Sequence, residues 1–108
     1  IRERNGLAMS SRNARLSPQE HARAPRLSEV LFEAAAKLAS GADAQPVLAQ
    51  ARRALEDAGF GPVEYLELRS SASLAPLTRA SEPARLLAAA WLGQVRLIDN
   101  VEVAENDP

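Results

Sequence analysis

The sequence predicts an α+β fold, and three observations carry that expectation. Two segments of helical length repeat apolar residues every three to four positions. The segment after them alternates apolar with polar residues, and a glycine-marked turn then leads into a run rich in Val, Leu and Ile. With 108 residues, 46% of them hydrophobic, the chain has material for one core and too little for two ordinary domains.

The first helix is marked by "SPQE". Ser17 stands at an N-cap, Pro18 at the first helical position and Glu20 three residues after the cap, so serine and glutamate can each satisfy a backbone N–H of the other. Pro25 lacks a backbone donor and crowds the preceding turn, which predicts a kink or a restart. Beyond it Leu27, Val30, Leu31, Ala34, Ala35 and Leu38 share one face, and Gly41 can close a helix over residues 17–40. Asp43 is placed to cap a second helix over residues 43–58, with a buried stripe of Val47, Leu48, Ala51, Leu55 and Ala58 ended by Gly59. The short link predicts that the two helices pack as a pair.

After the turn-forming "GFGP", residues 63–69 read as a strand in which Leu66 and Leu68 alternate with Glu67 and Arg69, leaving one wet face. "SSAS" reads as a loop, and residues 74–77 as a short packed turn broken by Pro76. "RLLAAAWLG" has the alanine and leucine content of a helix but the length and continuity of a buried strand. Gly93-Gln94 and "VRLIDNVEV" read as a turn and a strand over residues 95–100, a neighbourhood that favours a hairpin.

Composition limits the chemistry. The apolar run at residues 86–92 is far short of the roughly 20 residues needed to span a bilayer, so no membrane partner is expected. The chain has no cysteine, which excludes disulfides and thiolate chemistry and suits a reducing compartment, with the cytoplasm as the expected location. It begins at Ile1 with no signal-like segment and is expected to be a piece of a longer protein. Its single histidine, His21, reads as a surface residue and excludes an imidazole metal cluster or a Ser-His-Asp triad within these residues. Asp99 beside Asn100 reads as a pair satisfying a turn at a strand end. There is no glycine-rich phosphate loop of the G-x-x-x-x-G-K type.

Charge is unevenly spread. Residues 1–26 carry six arginines against Glu3 and Glu20, while the remainder has seven cationic and twelve acidic side chains. The basic segment either meets anions or is merely solvated. Within it, "MSSRN" groups two hydroxyls with a guanidinium that can donate two parallel hydrogen bonds to phosphate oxygens.

Three blocks in order, "IRERNGLAMSSRNARLSPQEHARAP", "AGFGPVEYLELR" and "AAWLGQVRLIDN", resemble the C-terminal domain of the pantothenate synthetase (pantoate–β-alanine ligase) family over nearly the whole chain. Such enzymes belong with the nucleotidyltransferases that resemble class I aminoacyl-tRNA synthetases, and "SSRN" takes the place of their "KMSKS" loop. The resemblance implies an ATP-dependent, magnesium-assisted ligase that joins pantoate and β-alanine through pantoyl adenylate. It further implies that Ser10, Ser11 and Arg12 hold the phosphates, that the backbone around Ile1 and Met9 borders the adenine, and that Arg12 is the catalytic residue. Where the family commonly has Asp-Gly, this chain has Asn5-Gly6, which suits the same tight turn.

The likeness also implies that "RLLAAAWLG" forms a strand over residues 84–91, completing two main helices packed on a three-stranded antiparallel sheet. Residues 1–16 become the phosphate-binding segment and residues 17–108 a C-terminal α+β lid domain. The N-terminal nucleotide-binding domain, with its histidine motif, has no counterpart here, so the chain alone is expected to be inactive and to take that domain as its partner. Two alternatives come from other classes. A nucleic-acid-binding module is disfavoured because Trp91, Tyr65 and both phenylalanines lie outside the basic segment. A structural or oligomerisation domain, pairing as a homodimer through apolar surface, is the stronger rival.

Overall fold

The computed structural model describes residues 16–104. Among them the order is α1 (Pro18–Arg23), α2 (Arg26–Ala39), α3 (Ala44–Asp57), β1 (Val63–Ser70), β2 (Ala84–Leu92) and β3 (Val95–Val103). The strands form one antiparallel sheet in the order β1-β2-β3. This is the α+β arrangement expected, with α2 and α3 as its two main helices.

The first predicted helix is divided at Ala24 and Pro25. The α1 segment carries a complete capping box: Ser17 Oγ accepts the Glu20 backbone N–H at 3.1 Å and Glu20 Oε1 accepts that of Ser17 at 2.9 Å. Helix α2 then restarts after Pro25, whose carbonyl accepts a hydrogen bond at 3.0 Å from the hydroxyl of buried Ser28. The whole predicted stripe of α2 is buried. Of the α3 stripe, Val47, Ala51 and Leu55 are buried, whereas Leu48 and Ala58 are half-buried and Ala44 joins the core instead.

Asp43 occupies the N-cap of α3 but makes no capping hydrogen bond. Its Oδ1 accepts from Arg79 Nε at 2.6 Å, and the orphan N–H of Ala44 donates to the Thr78 carbonyl at 2.8 Å. The loop before β2 thus satisfies a group that the sequence assigned to the aspartate.

One face of the sheet carries Leu66, Leu68 and Ser70, then Ala84, Leu86, Ala88, Ala90 and Leu92, then Val95, Leu97, Val101 and Val103, all buried. Helices α2 and α3 lie side by side against it, α2 over β3 and α3 over β1. Buried Ser70 is satisfied at the end of β1, where its Oγ accepts the backbone N–H groups of Ala72 and Ser73 at 3.2 and 3.3 Å. On the opposite face Ala89 is also fully buried, flanked in register by Tyr65 and Ile98. Pairing with β1 on one edge and β3 on the other makes this alanine-rich run a strand, against its local helix propensity.

Each strand runs beyond its predicted end. The largest extension is in β3, whose Val101, Glu102 and Val103 pair with Leu86, Arg85 and Ala84. Asp99 and Asn100 therefore lie within a strand and on opposite faces of the sheet, which corrects the expectation of a strand-end turn. Leu74 is likewise not packed: it is exposed, with φ 62°, and of residues 74–77 only Leu77 lies against the core.

Candidate functional site

The residues expected to contact nucleotide, Ile1, Met9, Ser10, Ser11 and Arg12, lie outside the described residues. What the structure describes is the base from which that segment departs. Leu16 is buried in the core, and Ser17 begins α1 with the capping box. No residue of α1 itself is buried, so the helix has no apolar stripe to fix its orientation. Leu16 and Ala24 at its two ends are buried, and two glycine turns lie beside it.

Both turns carry glycine at positive φ, a conformation that L side chains rarely adopt. Gly93, at φ +62° in the turn between β2 and β3, lies so close to Glu20 that a Cβ there would overlap Oε2 of the carboxylate. Gly59, at φ +99° after α3, would place a Cβ 3.2 Å from a guanidinium nitrogen of Arg23. Arg23 therefore stands at the C-terminal end of α3, where a helix favours positive charge. The capping box was legible in "SPQE", but the seating of Glu20 on Gly93 was not, since nothing local joins positions 20 and 93. His21, read as a surface residue, is partly exposed in α1.

A second polar cluster links all three strands. Glu64 Oε1 accepts the Trp91 indole N–H at 2.6 Å and Oε2 accepts Arg96 Nε at 3.0 Å. The ladder shifts between Val63 and Tyr65, which brings Glu64 into this arrangement. Arg96 first, and the indole second, hold the Glu64 carboxyl below the usual glutamate range. Because the folded value is the lower one, the cluster contributes stability above the ordinary glutamate value of 4.5 and loses it as pH falls through the folded value. The indole N–H resonance of the single tryptophan should hold its position as pH falls through 4.5 and move only at lower pH. A midpoint at or above 4.5 would contradict the pairing.

Two grooves among the described residues lie away from this base. One of about 210 Å³ lies between α2 and α3, rimmed by Arg26, Glu33, Lys37 and Gln50. Those groups pair with each other or nearby: Arg26 with Glu29 and Glu33 at 3.2 and 3.3 Å, Lys37 with Gln50 at 2.8 Å. Among the described residues no group of three or more His, Asp or Glu could hold a metal ion, and no helix is long and apolar enough to cross a membrane.

Comparison with known proteins fits this architecture. The model of the family described as pantoate-beta-alanine ligase matches residues 1–102, which includes the "SSRN" segment. The chain is 55% identical over 105 residues to the pantothenate synthetase of Chelativorans sp. and 56% identical over 103 residues to that of Roseobacter denitrificans. These matches cover 97% and 95% of this chain but only 37% and 36% of the relatives, so the chain spans little more than a third of their length. The crystal structure of pantothenate synthetase from Thermus thermophilus superposes with a TM-score of 0.84 at 34% identity, covering 96% of this chain and 38% of that one. Fold and sequence together define a domain shared by ligases. The chain belongs to the pantoate-beta-alanine ligase family.

Proposed function

We propose that this chain acts as the C-terminal part of a pantothenate synthetase, completing with an N-terminal nucleotide-binding domain a site for ATP, pantoate and β-alanine in the cytoplasm. The observation that carries this reading is the family match beginning at residue 1, which spans the phosphate-type cluster as well as the folded domain. In the reaction a pantoate carboxylate oxygen bonds to the α-phosphorus of ATP as the bond to pyrophosphate breaks. The β-alanine amine then bonds to the acyl carbon, loses a proton and displaces AMP.

In this reading Ser10, Ser11 and Arg12 meet the phosphates, and the backbone near Ile1 and Met9 borders the adenine. Magnesium, carried on phosphate oxygens as is usual for this ion, would neutralise part of their charge. Arg12 acts on the departing pyrophosphate, where negative charge grows and a fixed donor stabilises it without reorganising. The direct test is AMP release. The full-length protein is expected to release AMP only with ATP, magnesium, pantoate and β-alanine together, and the 108-residue chain to release none. AMP formation by the chain alone, or none by the full-length protein, would contradict the reading.

A further inference from the structure

We propose that the outer face of the sheet, centred on Tyr65, Leu87, Ala89, Trp91 and Ile98, is the surface on which the preceding, N-terminal domain of the same polypeptide docks. The inference rests on the proposed function, which supplies that domain, and adds to it the face through which the two parts meet.

Tyr65, Ala89 and Ile98 stand side by side across the three strands, and Leu87 and Trp91 flank Ala89 along β2. Among the described residues both long helices lie on the other face of the sheet, and Ile98 is 51% exposed. The polar groups around this apolar centre are already paired within the chain. The Trp91 indole donates to Glu64 at 2.6 Å, so a partner can cover the ring without stranding a donor. Glu64 also accepts from Arg96 at 3.0 Å, and at the other end Arg69 meets Glu67 at 2.9 Å and Arg85 donates to Asn100 Oδ1 at 2.8 Å. An apolar centre with aromatic residues, inside a rim of paired charges, is the anatomy of a recognition surface. The outer side of α2 and α3 is unlike it, because the groove there is rimmed by Arg26, Glu33, Lys37 and Gln50, and a partner would have to desolvate them.

Area selects the occupant. Three strands about 4.8 Å apart, with seven residues of about 3.3 Å each along β2, give a face of roughly 300 Å². Separate molecules need about 800 Å² from each side to hold together, so the face is too small for a second copy. Domains joined by one chain meet through as little as about 600 Å² in total, because the tether already holds them at high effective concentration. This chain covers only 37% and 36% of the pantothenate synthetases it matches, which leaves the larger part of such a protein to supply a tethered partner.

The experiment is hydroxyl-radical footprinting, read by mass spectrometry, of the full-length protein and of the 108-residue chain at a concentration where the chain sediments as a monomer. Oxidation of Trp91 and Tyr65 is expected to be at least about threefold slower in the full-length protein, because the centre of an interface excludes water. Phe32, 52% exposed on α2, should react at the same rate in both. Ile98→Arg, which sets an unpaired charge in the middle of the face, should return Trp91 in the full-length protein to the rate seen in the chain. Equal Trp91 rates in the two parent proteins overturn the proposal, as does protection of Phe32 in place of Trp91, or an Ile98→Arg protein in which Trp91 stays protected. Protection of Trp91 in the chain alone that grows with its concentration assigns the face to a second copy and overturns it too. AMP release by the same full-length preparation keeps the two readings apart. If AMP forms while Trp91 reacts as in the chain, only the docking face fails; if no AMP forms, the functional reading fails, whatever Trp91 does.

Discussion

Replacing Arg12 by alanine in the full-length enzyme is expected to lower kcat by about 30- to 900-fold, equivalent to roughly 2–4 kcal/mol of barrier. The expectation follows from where charge develops. In the proposed reaction, pyrophosphate departs from the α-phosphorus with charge that the ground state held in a bond. A guanidinium already in place can share that charge through two parallel hydrogen bonds, whereas water would have to reorient during the step. Because this interaction strengthens toward the transition state, the loss should fall on kcat more than on the KM for ATP. Lysine would restore charge without the planar fork, so Arg12→Lys should recover only part of the rate. A kcat loss in Arg12→Ala below about threefold, roughly 0.7 kcal/mol, would remove Arg12 from this role.

The second large effect concerns the sheet. Leu86 is fully buried in the central strand, in register between Leu68 and Val101 on the face covered by α2 and α3. Shortening it to alanine removes buried apolar surface and leaves a void that rigid neighbours on both sides cannot fill. Leu86→Ala is therefore expected to cost about 2–5 kcal/mol in urea unfolding of the 108-residue chain. Its melting temperature should fall by about 10 °C or more, since each kcal/mol is worth several degrees in a domain of this size. Ile98→Ala, on the opposite face at 51% exposure, should cost less than about 1 kcal/mol. Equal losses at the two positions would contradict the assignment of faces.

Much of the fold was legible because its signals are local. The capping box in "SPQE", the stripe of α2, the break at Pro25 and the alternation of β1 all depend on residues within a few positions of one another. The features that were not legible depend on partners distant in sequence. Residue by residue, the propensity of "RLLAAAWLG" favours a helix; it is extended because β1 and β3 pair with it on both edges. Likeness to a family resolved what propensity could not.

Asp99 and Asn100 failed as a turn because cross-strand pairing through Val103 outweighs their local preference. Asp43 failed as a side-chain cap because Arg79, 36 residues away, holds its carboxylate. At the candidate site, the chemistry of "SSRN" stood in the sequence as residue types. The seat of Glu20 on Gly93 and the Glu64–Trp91–Arg96 cluster needed the fold to bring residues together across the chain.

The most direct measurement is a crystal structure of the full-length enzyme with ATP and magnesium bound. The account predicts the Arg12 guanidinium within about 3 Å of a β- or γ-phosphate oxygen, with Ser10 or Ser11 donating to the same group. A nucleotide bound in the site with Arg12 directed into solvent, and no contact from residues 9–12 to any phosphate, would contradict it.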